Sequence, residues 1–321
     1  MRAALYRDMG DAAEVFRIED VERPAPGPGE VLVRVHASGV NPTDHKARSG
    51  AVPRPIDGFQ IPHQDGAGVI EAVGSGVDPG RIGERVWLWL AAAGRPWGTA
   101  AEWTALPARQ AVPLPEGASF ELGASLGVPA MTAHYCLLSD GPVSGQTVLV
   151  AGGAGAVGHF AIELAKRAGA RVVTTVSSAD KAALAEKAGA DLVVNYRSAD
   201  AADRIRAFGP VDRVIEVALG ANLALDLAVI SSHATIVTYA AEAADPELPV
   251  RACMTANVTL RFVLLYGVPM TALDESAADI TTALAAGELT GLPVHKFPLD
   301  GIAAAHEAAE GGAVGKVIVT L

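Results

Sequence analysis

Cysteine is nearly absent from this 321-residue chain, which carries only Cys136 and Cys253. Two thiols build neither a disulfide framework nor a cysteine-rich zinc site, so a small stapled scaffold is excluded. Their simplest reading is two free thiols in a reducing, cytoplasmic compartment. Positive charge is scarce as well: 25 Lys and Arg face 36 Asp and Glu, a net charge of −11. With no polybasic run to neutralise a phosphate backbone or an anionic surface, neither nucleic acid nor a membrane is expected as a partner. Long apolar runs are missing too. The longest, residues 86–93, falls far short of the roughly 20 residues that span a bilayer. Arg7 and Asp8 stand where a secretory segment would be apolar, and no internal repeat is evident.

What is present is a well-buried composition, half hydrophobic and only 19% charged. Its length calls for two domains rather than one core. The first ~120 residues read as β-rich, with short apolar or alternating runs at 3–6, 31–37, 68–73, 85–90 and 102–105 between Gly and Pro clusters. From about Phe120 strands and helices alternate. Strands are expected at 147–151, 172–176, 192–194, 213–217 and 235–239, and helices at 156–168, 179–188, near 199–208 and near 223–229. Such a succession implies a parallel sheet covered on both faces. A further apolar strand at 258–265 precedes a helix at 271–286, a strand at 295–299, a helix at 302–310 and a closing strand at 317–321. The fold class expected is α/β, with a β-rich catalytic domain and a Rossmann domain built on a doubly wound parallel sheet. The expected division is 1–123 catalytic, 124–266 nucleotide-binding and 267–321 returning to the catalytic domain.

The most informative stretch is residues 147–168, TVLVAGGAGAVGHFAIELAKRA. A strand enters a turn reading G-x-G-x-x-G at Gly153, Gly155 and Gly158, and a helix begins at once. In that context the glycines mark a dinucleotide site: one for the tight turn, one for backbone approach to a pyrophosphate, one for close helix packing. Gly153, Gly155, Ala156, Val157 and Gly158 are then the diphosphate cradle at a helix N-terminus. The alternative is a glycine-rich turn with no ligand. Along the helix, Val157, Ala161, Leu164 and Ala168 share one face. His159, Glu163, Lys166 and Arg167 share the other, which makes His159 a solvated residue.

An Asp or Glu about 20 residues on would hold the ribose hydroxyls of NAD. Here the second strand ends in Val176-Ser177-Ser178-Ala179-Asp180-Lys181. Hydroxyls and a lysine replace the acid at the strand tip, and Ser177, Ser178 and Lys181 can donate to a 2′-phosphate that a carboxylate would repel. NADPH is therefore the expected cofactor. The alternative makes Ser178 a helix cap and Lys181 a solvated residue.

The segments GVNPTDHKARSG (39–50), HQDGAGVIEAVGSGV (63–77) and LGVPAMTAHYCLL (126–138), with GAGAVG, GADLVVNYR (189–197) and the terminal GKVIV, resemble the medium-chain dehydrogenase/reductase superfamily. Its zinc-free quinone oxidoreductase branch, which includes zeta-crystallin, is the most similar. Zinc-dependent members place a cysteine, a histidine and a cysteine where this chain has Asn41, Gln64 and Val128, and the four-cysteine lobe is absent. Zinc needs imidazole, thiolate or carboxylate ligands, which none of the three positions offers; a shifted site at His63, with Asp44, His45 and Asp65 near in sequence, lacks a clear third ligand, so no metal is expected. His63 and His45 read as turn residues with a satisfied hydrogen bond.

The resemblance implies that Asn41 lies near the nicotinamide and that Thr132 contacts its ribose or carboxamide. It implies that Lys181 and Tyr196 hold the adenosine phosphate, that Val217, Tyr239, Val263 and Leu264 line the cofactor cleft, and that Lys316 approaches from the closing strand. Asn41, Lys46 and Gln64 are the candidate catalytic residues. Lys46 stands where quinone reductases commonly carry a tyrosine that walls the pocket, and it either binds an oxyanion or points to solvent.

Without a Lewis acid to stabilise an alkoxide, the suitable acceptors are those that spread incoming charge themselves, quinones and α,β-unsaturated carbonyls. The expected function is NADPH-dependent hydride transfer to such a small molecule, by a homodimer. Two alternatives stay open: a reductase of enoyl-thioester or ketide double bonds, and a non-catalytic NADPH-binding sensor or structural protein.

Overall fold

The structure, a computed structural model, describes residues 1–242 and 244–321. The chain forms two compact units. The first comprises Met1–Val128, Thr281–Ala286 and Gly291–Leu321, and the second comprises Pro129–Ile280 and Gly287–Thr290. The chain thus returns to the first unit at Thr281 rather than at 267. The long helix Met270–Ala285 begins in the second unit, where Asp279 pairs with Arg167 at 2.9 Å and His134 at 3.2 Å.

The second unit is organised on a six-stranded sheet, all of whose pairings are parallel. Its spatial order is Leu192–Asn195, Arg171–Val176, Thr147–Ala151, Val211–Glu216, Ile230–Thr238, Thr259–Phe262. Strands buried on both faces read as continuous β-branched runs; all five residues of Thr147–Ala151 are buried. The order reverses between Thr147–Ala151 and Val211–Glu216, and in open α/β sheets ligands bind beyond the carboxyl ends at such a point.

Two sequence expectations need correction here. The apolar strand expected over 258–265 shrinks to Thr259–Phe262, because a 3-10 turn at Leu265–Gly267 ends the extended chain. The helix Ala156–Arg167 does not present His159 to water: His159 is 2% and Glu163 6% exposed. Thr290 covers that face, its carbonyl 2.9 Å from His159 Nε2 and its hydroxyl donating to Glu163 Oε1 at 2.5 Å.

In the first unit, strand Glu30–Gly39 is the hub of a seven-stranded mixed sheet, pairing antiparallel with Asp65–Val73, Trp103–Pro107 and the closing strand Lys316–Thr320. The registers of these pairings gather the polar residues at the end of the hub. Gly39 stands opposite Asp65 on one side and Ile318 on the other. Two residues beyond that antiparallel pair, Asn41 and Lys316 meet.

Candidate active site

Asn41 leaves the hub strand and starts helix Pro42–Ser49, with proline at the first helical position, where its missing N–H costs nothing. The Asn41 backbone N–H donates to Asp44 Oδ2 at 2.8 Å, closing the helix start. Its carboxamide works between two charges. Nδ2 donates to Asp65 Oδ2 at 2.7 Å, and Oδ1 accepts from the Lys316 ammonium at 2.7 Å. Lys316 Nζ lies 3.6 Å from Asp65 Oδ2, and Asp65 Oδ1 accepts the Val128 N–H at 2.8 Å. Gly127 makes that last contact possible, since a Cβ there would sit 2.2 Å from Asp65 Oδ1.

Every member of this cluster is buried: Asn41, Asp44, Asp65 and Lys316 are at most 5% exposed. Burial pushes the Asp65 carboxyl up and the Lys316 ammonium down, while their attraction opposes both shifts. Asp44 is raised to about 7, first by burial and then by the neighbouring Asp65 charge. Gln64 is 3% exposed, and its Oε1 has no partner. Lys46, half-buried one turn into the helix, is not a hydrogen-bonded member of the cluster; with burial and Arg48 it lowers the pKa of His45. His63 is a left-handed turn residue at φ 77°, held by Ser38 Oγ at 2.7 Å and His306 Nε2 at 3.0 Å. Its hydrogen bonds agree with the sequence reading, whereas His45, expected to be a turn residue as well, lies inside helix Pro42–Ser49.

In the second unit the remaining candidates leave the same edge of the parallel sheet. The glycine turn follows Thr147–Ala151, Ser177 and Ser178 follow Arg171–Val176, Tyr196 follows Leu192–Asn195, and Val217 follows Val211–Glu216. Tyr239 follows Ile230–Thr238, and Val263 and Leu264 follow Thr259–Phe262. Helix Ala156–Arg167 begins at Gly155, and a Cβ on Gly158 would lie 2.4 Å from the Gly152 carbonyl oxygen. Only glycine lets the helix sit this close to the turn. Lys181 Nζ donates to Ser177 Oγ at 3.2 Å, and Ser178 Oγ accepts the Lys181 N–H at 3.4 Å. Ser178 is thus a helix cap, while Ser177 and Lys181 form one basic, hydroxyl-bearing corner. Tyr196 is exposed, with the Arg197 guanidinium 5.7 Å from its ring centroid. Val217 and Tyr239 are half-buried, and Val263 is buried. Leu264 instead is 66% exposed. Thr132 is buried on helix Gly127–Leu138.

Sequence reasoning missed a second buried acidic pair. Glu216, at the carboxyl end of its strand, accepts from the Ala218 N–H and from Asn222 Nδ2 at 2.9 Å, and faces Asp226 on helix Leu219–Val229. Two such carboxyls share one proton. Burial, then the Glu216 charge, raises Asp226 to about 8. Between about pH 4 and 8 the folded protein keeps a proton that the unfolded chain has released, so this pair costs stability progressively as pH rises through that window. Asp226→Asn supplies a permanent donor to Glu216. It is expected to be more stable than the parent at pH 8, by on the order of 2 kcal/mol, and nearly equal at pH 4. Urea unfolding at both values checks this; an equal difference at both would contradict the shared proton.

A GroES-like unit of mixed strands with a Rossmann unit defines a dehydrogenase/reductase of the medium-chain class. Residues 27–116 match the alcohol dehydrogenase GroES-like domain family, and residues 156–282 match the zinc-binding dehydrogenase family. Quinone oxidoreductase of Homo sapiens is 30% identical over 328 aligned residues, covering 100% of this chain and 98% of that protein. A mycobacterial protein solved in complex with NADPH superposes with a TM-score of 0.86 at 30% identity, with all of both chains covered. Escherichia coli quinone oxidoreductase, also complexed with NADPH, gives 0.86 at 25% identity over all of both chains. The chain belongs to the quinone oxidoreductase family.

The zinc implied by the second family match does not fit the residues present. Asn41 has its carbonyl bound to an ammonium and its amide to a carboxylate, and the Val128 side chain has no ligand atom. The Lys316 cation at this position would repel a metal ion. The dinucleotide site is different: Gly155 is exposed and opens helix Ala156–Arg167, whose first N–H groups have no side-chain cap, the chemistry a diphosphate requires.

Proposed function

We propose that this chain is an NADPH-dependent, metal-independent reductase that passes hydride to a quinone or an α,β-unsaturated carbonyl. The observation that carries this reading is the Asp65–Lys316 pair, which occupies the Asn41 carbonyl oxygen and sets an ammonium beside it. With no Lewis acid to stabilise an alkoxide, the acceptor must delocalise the charge it receives.

The chemistry supplied by bound NADPH is a hydride. The amides of Gly153, Gly155, Ala156, Val157 and Gly158 hold the diphosphate, aided by the positive end of the helix dipole. Ser177, Ser178, Lys181 and Tyr196 take the adenosine phosphate, and Val217, Tyr239 and Val263 give apolar surface to the cofactor. Thr132 contacts its ribose or carboxamide. The Asn41 carboxamide, fixed by its two charged partners, keeps one Nδ2–H to donate to the nicotinamide or to the developing oxyanion. Lys316 acts through Asn41 as a positioning residue. Gln64 lines the acceptor side, and Lys46 stays a candidate for an acidic acceptor only.

We further propose a cytoplasmic homodimer. Strand Thr259–Phe262 ends the parallel sheet, with Phe262 72% and Leu264 66% exposed, an apolar edge of the kind that pairing with a second copy covers. The two cysteines are free, as a reducing compartment requires.

Turnover tests the reading: loss of reduced-nicotinamide absorbance is expected with several quinones and enones. NADPH binding without oxidation across the panel would support a sensor or structural protein instead. Lys181→Ala removes a charge-assisted bond contributing about 1.5–3 kcal/mol. It should raise the KM for NADPH about 10- to 150-fold and leave NADH unaffected; equal losses with both would refute the phosphate assignment.

A further inference from the structure

Beside the Asn41 cluster, a cavity of about 20 Å³ lies between Tyr6, Asp44, Arg54, Ile56, Gln60 and Gln64. Its size decides what it can take. A water needs about 10–15 Å³ measured this way, so there is room for a single small polar group. Its walls decide the chemistry. Gln64 Oε1 is a buried acceptor without a partner, and the Asp44 carboxyl lies on the same cavity, its Oδ2 already accepting the Asn41 N–H. Gln64 belongs to neither hydrogen-bonded network around it. Asp65, the next residue, serves Asn41, Val128 and Lys316, and the Gln64 backbone carbonyl accepts the Ala91 N–H at 2.9 Å. The orphaned side chain is therefore not explained by the packing of the strand.

We propose that this cavity is a subsite admitting one hydrogen-bond-donating group, a hydroxyl or N–H carried by the acceptor beside its reducible carbonyl, and that Gln64 sets this preference. The inference rests on the reductase reading and names the acceptor class within it: hydroxylated or N–H-bearing quinones and enones. A buried acceptor that finds no partner is costly, whereas an incoming hydroxyl relieves it at no further expense of burial. Sites built to bond a hydroxyl discriminate strongly against analogues lacking it, because their own polar atom is then stranded.

The experiment compares menadione with the analogue whose methyl carries a hydroxyl. The intrinsic reactivities of the two quinones cancel when their kcat/KM ratio is compared between the parent protein and Gln64→Leu. The parent is expected to favour the hydroxymethyl compound at least tenfold more than the variant does. Gln64→Leu should also keep or raise Tm, since it removes an unpartnered oxygen from the interior. If that variant does not fold, Gln64→Asn, which withdraws the carboxamide by one methylene, replaces it with the same expected loss of preference. Equal ratios in parent and variant overturn the subsite while leaving the reductase reading intact, and mean that a water serves Gln64. No NADPH oxidation with either quinone overturns the reductase reading, and the subsite with it.

Discussion

Gly158→Val is expected to abolish useful NADPH binding, raising Kd by roughly 100-fold or more, about 2.7 kcal/mol. The cause is steric. The new Cβ alone would come 2.4 Å from the Gly152 carbonyl oxygen and 3.0 Å from Gly153 Cα, so the helix must move off the turn whose amides we propose hold the diphosphate. Overpacking of this kind costs about 1–3 kcal/mol of stability as well. Gly155→Ala separates the two effects. Gly155 is exposed, and its Cβ would meet only the Gly152 oxygen, at 3.2 Å. That variant should keep the parent's Tm yet lose affinity, because the methyl occupies the surface a pyrophosphate approaches. Fluorescence titration with NADPH alongside thermal unfolding reads both. Unchanged Kd in a folded Gly158→Val protein would show that the turn does not hold the cofactor.

Asp65→Ala is expected to destabilise the first unit strongly. It leaves the Lys316 ammonium 4% exposed without its carboxylate, and it strands the Val128 N–H. Breaking a buried pair from one side costs about 3–5 kcal/mol. For domains of this size each kcal/mol lowers Tm by about 2–4 °C, so a fall of roughly 6–20 °C should result. Asp65→Asn retains acceptors for Val128 and should fall between. Lys316→Met should lower kcat more than it raises the KM for NADPH, because it frees the Asn41 carboxamide rather than removing a phosphate contact. Calorimetric scans in which Asp65→Ala unfolds within about 1 °C of the parent, far inside the expected fall, would rule out the pair as the site's anchor.

Much of the nucleotide unit was legible in the sequence, for a physical reason. A strand buried on both faces reads as a continuous apolar run, and Thr147–Ala151 runs straight into Gly152, so it could be placed to the residue. The first helix shows where such reading stops. Periodicity identifies the face turned to the sheet, but it takes the opposite face as solvent. Thr290, more than a hundred residues further on, covers His159 and Glu163 in the fold. The same limit applies at the other site. Asn41 and Lys316 were singled out by the family resemblance and Asp65 was not, since nothing local announces that two strand registers at Gly39 bring the three to one carboxamide. Asp65 was the available signal: a lone carboxylate opening the apolar strand Asp65–Val73 needs a partner if that strand is central.

The most direct test measures zinc per subunit and NADPH-dependent quinone reduction on the same preparation, before and after exhaustive chelation. Full turnover at far less than one zinc per subunit, unchanged by chelation, is the result expected when a lysine ammonium stands at the metal's position. Activity that tracks zinc content and returns only when zinc is restored would contradict the account at its centre.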